Sequence, residues 1–175
     1  MLPKGYESDQ VLQLETNLDD ISPEVVGHVT ELLFAAGALD VWITPIQMKK
    51  QRPGMLLALL CEKGLLECLT ELLFAETTAF GLRISEVTRL KLRRDFVSVQ
   101  TSFGPITVKR GFRGETLLQV APEYESCKAA ATRSARPLHE VFTAARDAAK
   151  AYYPQPPKVS HGARDVLTPG GGGES

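Results

Sequence analysis

Two short charged stretches carry the side chains best suited to chemistry. Asp19 and Asp20 follow the alternating run Val11-Leu12-Gln13-Leu14. Lys49, Lys50 and Arg52 follow a second apolar-rich run over 39–47, and Pro53-Gly54 closes their turn. Adjacent carboxylates suit hard, oxygen-preferring cations, and clustered Lys and Arg suit phosphate oxygens. A metal–nucleotide site needs one of each. The same residues also describe two solvated turns, and composition alone leaves both readings open. No Ser-His-Asp or Cys-His grouping can be assembled from the three His and three Cys, which are scattered along the chain. A protein-held nickel ion would require several such side chains close together.

The elements that must position these turns follow from periodicity. A strand is expected over 11–17. Ser22 is an N-cap, and Pro23 takes the first helical position, where its missing N–H costs nothing. Val25, Val26, Val29, Leu32 and Leu33 form the apolar stripe of that helix, with Glu24, His28 and Glu31 outside, and Gly37 ends it. Pro45 makes the strand over 39–47 an edge strand or a bulged one. The continuous apolar run over 55–61 suits a central strand. A helix over 65–76 and a strand over 82–90 complete a second β-α-β unit, and Glu-Leu-Leu-Phe-Ala recurs at 31–35 and 71–75. The duplication predicts a ferredoxin-like βαββαβ domain over 10–90, in an α/β (α+β) chain.

A smaller domain is expected over 91–153: a hairpin of strands over 96–101 and 106–110, a third strand over 116–121, and two helices. The first of these begins at Pro122 and runs to 134, and the second starts near 137 and contains His139. Residues 1–9 are expected as a poorly ordered arm, and the Pro- and Gly-rich segment 154–175 as a disordered tail holding His161.

Twenty Lys and Arg against 21 Asp and Glu leave a net charge of −1, which argues against a nucleic-acid partner but not against a small anion. No apolar run reaches the length of a membrane span. Cys61, Cys68 and Cys127, an odd number without a CxxC, predict a reduced cytoplasmic protein.

ETNLDDISPEVVGHVTELLFAAGALDVWITPIQMKKQRPG at 15–54, ETTAFGLRI at 76–84 and APEYESCKAAA at 121–131 resemble the nickel-insertion proteins of the nickel-pincer cofactor pathway, the LarC family. The likeness runs over about 12–152 and is to the C-terminal domain of that family. It implies an enzyme, a nickel chelatase or cyclometallase, that uses CTP with Mg²⁺ or Mn²⁺. Its reaction inserts Ni²⁺ into pyridinium-3,5-bisthiocarboxylic acid mononucleotide, making the cofactor of lactate racemase-type enzymes.

On that resemblance Asp19 and Asp20 hold the metal, and Lys49, Lys50 and Arg52 face the triphosphate. Lys50 and Arg52 would stabilise charge on departing pyrophosphate. Thr77 and Thr78 either bind phosphate or cap the second helix. Arg94 and Lys109 match basic positions of the family. Tyr124 either stacks on the base or packs, and Cys127 either faces substrate or is a buried thiol. The implied partners are CTP, the pyridinium mononucleotide, the family's N-terminal half with its His-rich region, and further copies of the chain in a trimer or hexamer. The alternative is a non-catalytic, oligomeric ferredoxin-like module that senses a nucleotide or serves assembly.

Overall fold

The computed structural model describes residues 3–153; the expected tail and His161 lie outside the described residues. Two compact units divide the chain, Met1–Leu92 and Arg93–Ser175. The first contains β1 (Glu7–Leu18), α1 (Pro23–Ala35), β2 (Asp40–Met48), β3 (Arg52–Cys61), α2 (Leu66–Glu76) and β4 (Arg83–Lys91). Its strands lie in the order β2-β3-β1-β4, each neighbouring pair antiparallel. The class is α+β, in the split βαβ order that the duplicated pattern predicts. β2 is an edge strand, where a proline that cannot donate to the ladder is tolerated. The apolar run 55–61 lies in β3, between β2 and β1.

Local signals set the helix ends. The Ser22 hydroxyl accepts from the Val25 N–H, Pro23 opens α1, and Gly37 (φ +99°) takes the left-handed turn that ends it. Leu12, Leu14 and Leu18 of β1 pack with Leu57 and Leu59 of β3 against Val29, Leu33, Leu69 and Leu73 of the two helices. The Glu-Leu-Leu-Phe-Ala repeat has one role in both helices. Leu33 and Leu73 are 0% and 2% exposed while Phe34 and Phe74 are 49% and 45% exposed, so each copy supplies one core residue and one surface ring. Truncating either leucine to alanine would cost about 2–5 kcal/mol.

Three local expectations in the first unit need correction. β1 begins at Glu7, inside the expected arm, because residues 7–9 pair with β4: Glu7 lies opposite Lys91 and Asp9 opposite Arg89. Arg89 grips both Asp9 oxygens at 3.0 and 2.7 Å, and Lys91 adds a contact at 2.8 Å. Val25 is exposed rather than part of the buried stripe of α1. A short 3-10 turn, Lys63–Leu65, precedes α2 and delays its start to Leu66.

The second unit contains β5 (Arg93–Thr101), β6 (Gly104–Arg113), β7 (Thr116–Pro122), α3 (Tyr124–Ser134) and α4 (Leu138–Tyr152), with sheet order β5-β6-β7. Gly104 (φ +93°) turns the first hairpin, and the Thr101 hydroxyl ties it by accepting from the Phe103 N–H. Pro122 ends β7 instead of opening a helix. The Glu123 N–H donates to the Thr107 carbonyl at 2.9 Å, which keeps the chain extended for one more residue. Alanines 130, 131 and 145 pack with Ile106, Cys127 and Val141, their small side chains letting α3 and α4 approach closely.

Candidate functional site

Both charged turns meet at one end of the first unit's sheet, because the strand registers require it. Leu18 of β1 lies opposite Met55 of β3, and Met48 of β2 lies opposite Arg52. The turn 49–51 is therefore beside the segment that leaves β1. β4 starts at Arg83, opposite Glu15, and brings the α2–β4 loop to the same end. Buried Thr16 anchors that loop by donating to the Gly81 carbonyl at 2.9 Å.

The result is a cleft of about 380 Å³. Asp19, Asp20 and Asn17 line it from β1 and its exit, Met48, Lys49 and Arg52 from the hairpin, and Thr78, Phe80 and Arg83 from the α2–β4 side. Arg52 Nη1 lies 3.3 Å from Asp19 Oδ2. The Thr78 hydroxyl donates to Asp20 Oδ1. Arg83 donates to Asn17 Oδ1 at 2.9 Å and to Glu15 Oε2 at 3.3 Å. Both aspartates are thus held by donors from different elements. The two carboxylates line the cleft together with Asn17 and Thr78, and oxygen donors are the type that hard cations prefer.

Two backbone features shape the basic turn. A Cβ on Gly54 would lie 2.7 Å from Met48 Sδ and 2.8 Å from the Leu18 carbonyl oxygen, so only glycine lets β3 pass this close to β1. Lys50 (φ 60°) and Gln51 (φ 59°) both adopt the left-handed conformation. For residues with a Cβ this costs about 1–2 kcal/mol each, strain of a kind that clusters at ligand sites.

The expected site residues are divided by the fold. Asp19, Asp20, Lys49, Arg52 and Thr78 line one cleft. Lys50 stands exposed at the apex of the turn and does not line it. Thr77 caps α2: its hydroxyl donates to the Leu73 carbonyl at 2.6 Å and accepts from the Ala79 N–H at 3.2 Å. Arg94 and Tyr124 belong to the second unit, where Arg94 is exposed opposite Gly111 and the Tyr124 ring lies 6.3 Å from that of Phe142. Lys109, also there, pairs with Glu123 at 2.8 Å.

Cys61 and Cys127 are buried, and desolvation raises both thiols above their ordinary value, for Cys127 with a smaller push from Glu123. Cys68, His28 and His139 are exposed. Among the described residues no three His, Cys, Asp or Glu side chains form a metal cluster.

Sequence reasoning missed Arg83, Asn17 and Phe80. Arg83 and Phe80 lie within the stretch ETTAFGLRI, but only the register that sets β4 against β1 shows that this stretch returns to Asp19 and Asp20. Phe80 is 104% exposed, an aromatic face at the cleft with no packing role.

A family model described as nickel insertion protein matches residues 1–142. A protein of Pelobacter propionicus named for nickel insertion is 50% identical over 140 residues, covering 80% of this chain and 36% of that protein. The pyridinium-3,5-bisthiocarboxylic acid mononucleotide nickel insertion protein of Clostridium acetobutylicum is 44% identical over 131 residues, 75% of this chain and 31% of that protein. The chain thus spans about a third of the length of the curated relatives it matches. Among solved structures, it is similar to the C-terminal domain of a cyclometallase involved in the synthesis of the NPN cofactor of lactate racemase, in its apo form. That likeness has a TM-score of 0.78 and 38% identity, and it covers 82% of this chain and 99% of the other.

Proposed function

The chain belongs to the nickel insertion protein family, and from that premise we propose that its first unit binds CTP with Mg²⁺ or Mn²⁺, as the C-terminal part of an enzyme that inserts nickel into pyridinium-3,5-bisthiocarboxylic acid mononucleotide. The observation that carries the reading is the meeting of Asp19 and Asp20 with Lys49 and Arg52 in one cleft, from turns about 30 residues apart.

A divalent cation held there would screen the phosphates and align them. Asp19 and Asp20 neutralise that cation, which leaves Lys49, Arg52 and Arg83, with Lys50 above them, to face the triphosphate oxygens. Arg52 is exposed, and its pair with Asp19 is worth only about 0–1 kcal/mol. It can exchange this carboxylate for a phosphate at little cost. Once on the triphosphate, these cations stabilise the charge that grows on departing pyrophosphate. The Phe80 ring offers a stacking face for the base. Nickel is the cargo of the reaction, and in this reading its nitrogen or sulfur ligands come from the substrate or from the family's N-terminal half.

Exposed Leu39 and Ile43 on and beside edge strand β2, with exposed Phe34 on α1, support a homo-oligomer, a trimer or hexamer in this reading. No helix among the described residues is long and apolar enough to cross a membrane, and three free thiols suit the cytoplasm. Calorimetric titration with CTP, with and without Mg²⁺ or Mn²⁺, tests the reading. Saturable binding that weakens without metal is expected. Equal, metal-independent binding of all four ribonucleoside triphosphates would reduce the cleft to a generic anion patch.

A further inference from the structure

We propose that the second unit carries a separate binding site for a pyridinium mononucleotide, in the groove between β7 and α4. The proposal rests on the reading of the chain as part of a nickel insertase, and it assigns the organic substrate to a different surface from the nucleoside triphosphate. The groove encloses about 510 Å³, inside the range of small-ligand sites. Val120 and Pro122 form one wall, and Phe142, Arg146, Lys150 and Tyr153 form the other.

Positions 142, 146 and 150 recur at i, i+4 spacing on α4, so a ring and two cations follow one another along one stripe, and Tyr153, just past the helix end, closes the groove. Both rings make further contacts within this unit. Phe142 lies against Tyr124, with ring centroids 6.3 Å apart. Tyr153 lies under the Arg110 guanidinium at 4.8 Å, and Asp95 holds Arg110 through two hydrogen bonds of 2.7 Å. Buried Ala149 keeps the floor between them low.

The two cations are available. Among the described residues Arg146 makes no carboxylate pair and Lys150 pairs only with exposed Asp147, at 3.8 Å. Their stems are one turn apart on the helix, roughly 6 Å, the span of two anionic arms on one planar ring. β7 is an edge strand, so its outer backbone groups have no partner within the sheet.

This set of groups selects a ligand class. A positively charged heteroaromatic ring is attracted to the face of Phe142. Carboxylate, thiocarboxylate or phosphate arms on the same molecule meet Arg146 and Lys150. Among the described residues no carboxylate lines the groove, so it offers a metal-bound triphosphate no ligand for the metal.

Nicotinic acid mononucleotide, a pyridinium carboxylate mononucleotide, is a direct probe. It would be titrated into the full chain by calorimetry, with backbone amide NMR shifts to locate it. Saturable binding is expected, with shifts centred on Val120–Pro122 and on Phe142 to Tyr153. Arg146→Gln with Lys150→Gln should weaken binding at least tenfold, and Phe142→Leu several-fold. Both cations are at the surface, and a thermal melt checks that the variants fold. No binding at millimolar probe, unchanged binding in these variants, or loss of binding through Arg52→Ala instead would each overturn the proposal. CTP and Mg²⁺ titrated in parallel report on the other unit. Failure there with the probe still bound sinks the triphosphate reading and leaves the groove standing.

Discussion

The guanidinium Nη1 of Arg52 lies 3.3 Å from Asp19 Oδ2, joining residues 33 positions apart at one end of a four-stranded sheet. The pair is exposed, so its contribution to stability is small. Its consequence is placement: it holds the basic turn against the acidic one, and in the proposed function Arg52 leaves Asp19 for a phosphate when nucleotide and metal bind.

Arg52→Ala should therefore weaken CTP binding tenfold or more while leaving the melting temperature nearly unchanged. A charge-assisted hydrogen bond to phosphate is worth about 1.5–3 kcal/mol, against about 0–1 for the surface pair lost. Asp20→Asn should blunt the dependence on Mg²⁺, because it removes an anionic oxygen from a hard-cation site. Lys128→Ala, on α3, is the control. Wild-type titration curves for both cleft variants would return the two turns to solvated loops.

Lys50 separates charge from strain. Lys50→Ala keeps a Cβ in the left-handed conformation, whereas Lys50→Gly removes it. The glycine variant should be more stable than the alanine variant by about 1 kcal/mol, with CTP binding weakened alike in both. Chemical denaturation of the pair decides this, and equal stabilities would show the turn to be unstrained in solution.

Phe80 has nothing to lose from the core, being fully exposed. Stacking on a base is worth about 1–3 kcal/mol, so Phe80→Ala should weaken CTP several-fold or more. Inorganic triphosphate, which has no base, should bind the variant as it binds wild type. A parallel loss for both ligands would mean that the ring shapes the cleft rather than holding a base.

Gly54→Ala places a methyl group against the Leu18 carbonyl and Met48 Sδ. Methionine can move, but the carbonyl belongs to β1, so β3 must shift. Overpacking of this kind costs about 1–3 kcal/mol, and CTP binding should weaken because Arg52 moves with the strand. An unchanged melt would show that the sheet yields freely there.

Asp9 offers a pH test remote from the cleft. Its hydrogen bonds from Arg89 and then Lys91 hold its carboxyl well below the usual carboxylate range. A depressed folded-state value means that the stabilisation is complete above the unfolded carboxylate's titration, about pH 3.9, and fades as pH falls further toward the folded value. The stability advantage of wild type over Asp9→Asn should be constant at pH 5–8 and shrink steadily below about pH 4. An advantage independent of pH down to acid unfolding would contradict the assignment.

Elements whose causes are local were legible in the sequence. Ser22-Pro23 opened α1 and Gly37 closed it, Pro45 sent β2 to the edge, and the repeated Glu-Leu-Leu-Phe-Ala marked two equivalent helices. Residue types also marked two charged turns, Asp19-Asp20 and Lys49, Lys50 and Arg52, because carboxylate, ammonium and guanidinium chemistry is written in the side chains themselves; that Lys50 stands outside the cleft was not legible. What tertiary structure alone decided depends on partners far along the chain. Residues 7–9 became strand because Asp9 meets Arg89, 80 positions away. Arg83 joined the site because the register of β4 sets it against Glu15 and Asn17. Thr77 and Thr78, adjacent and chemically alike, were separated by the end of α2, which takes one hydroxyl for its own carbonyl and leaves the other to Asp20. A sequence states which groups exist. Strand register, which slips or holds only through the whole sheet, states which of them can touch.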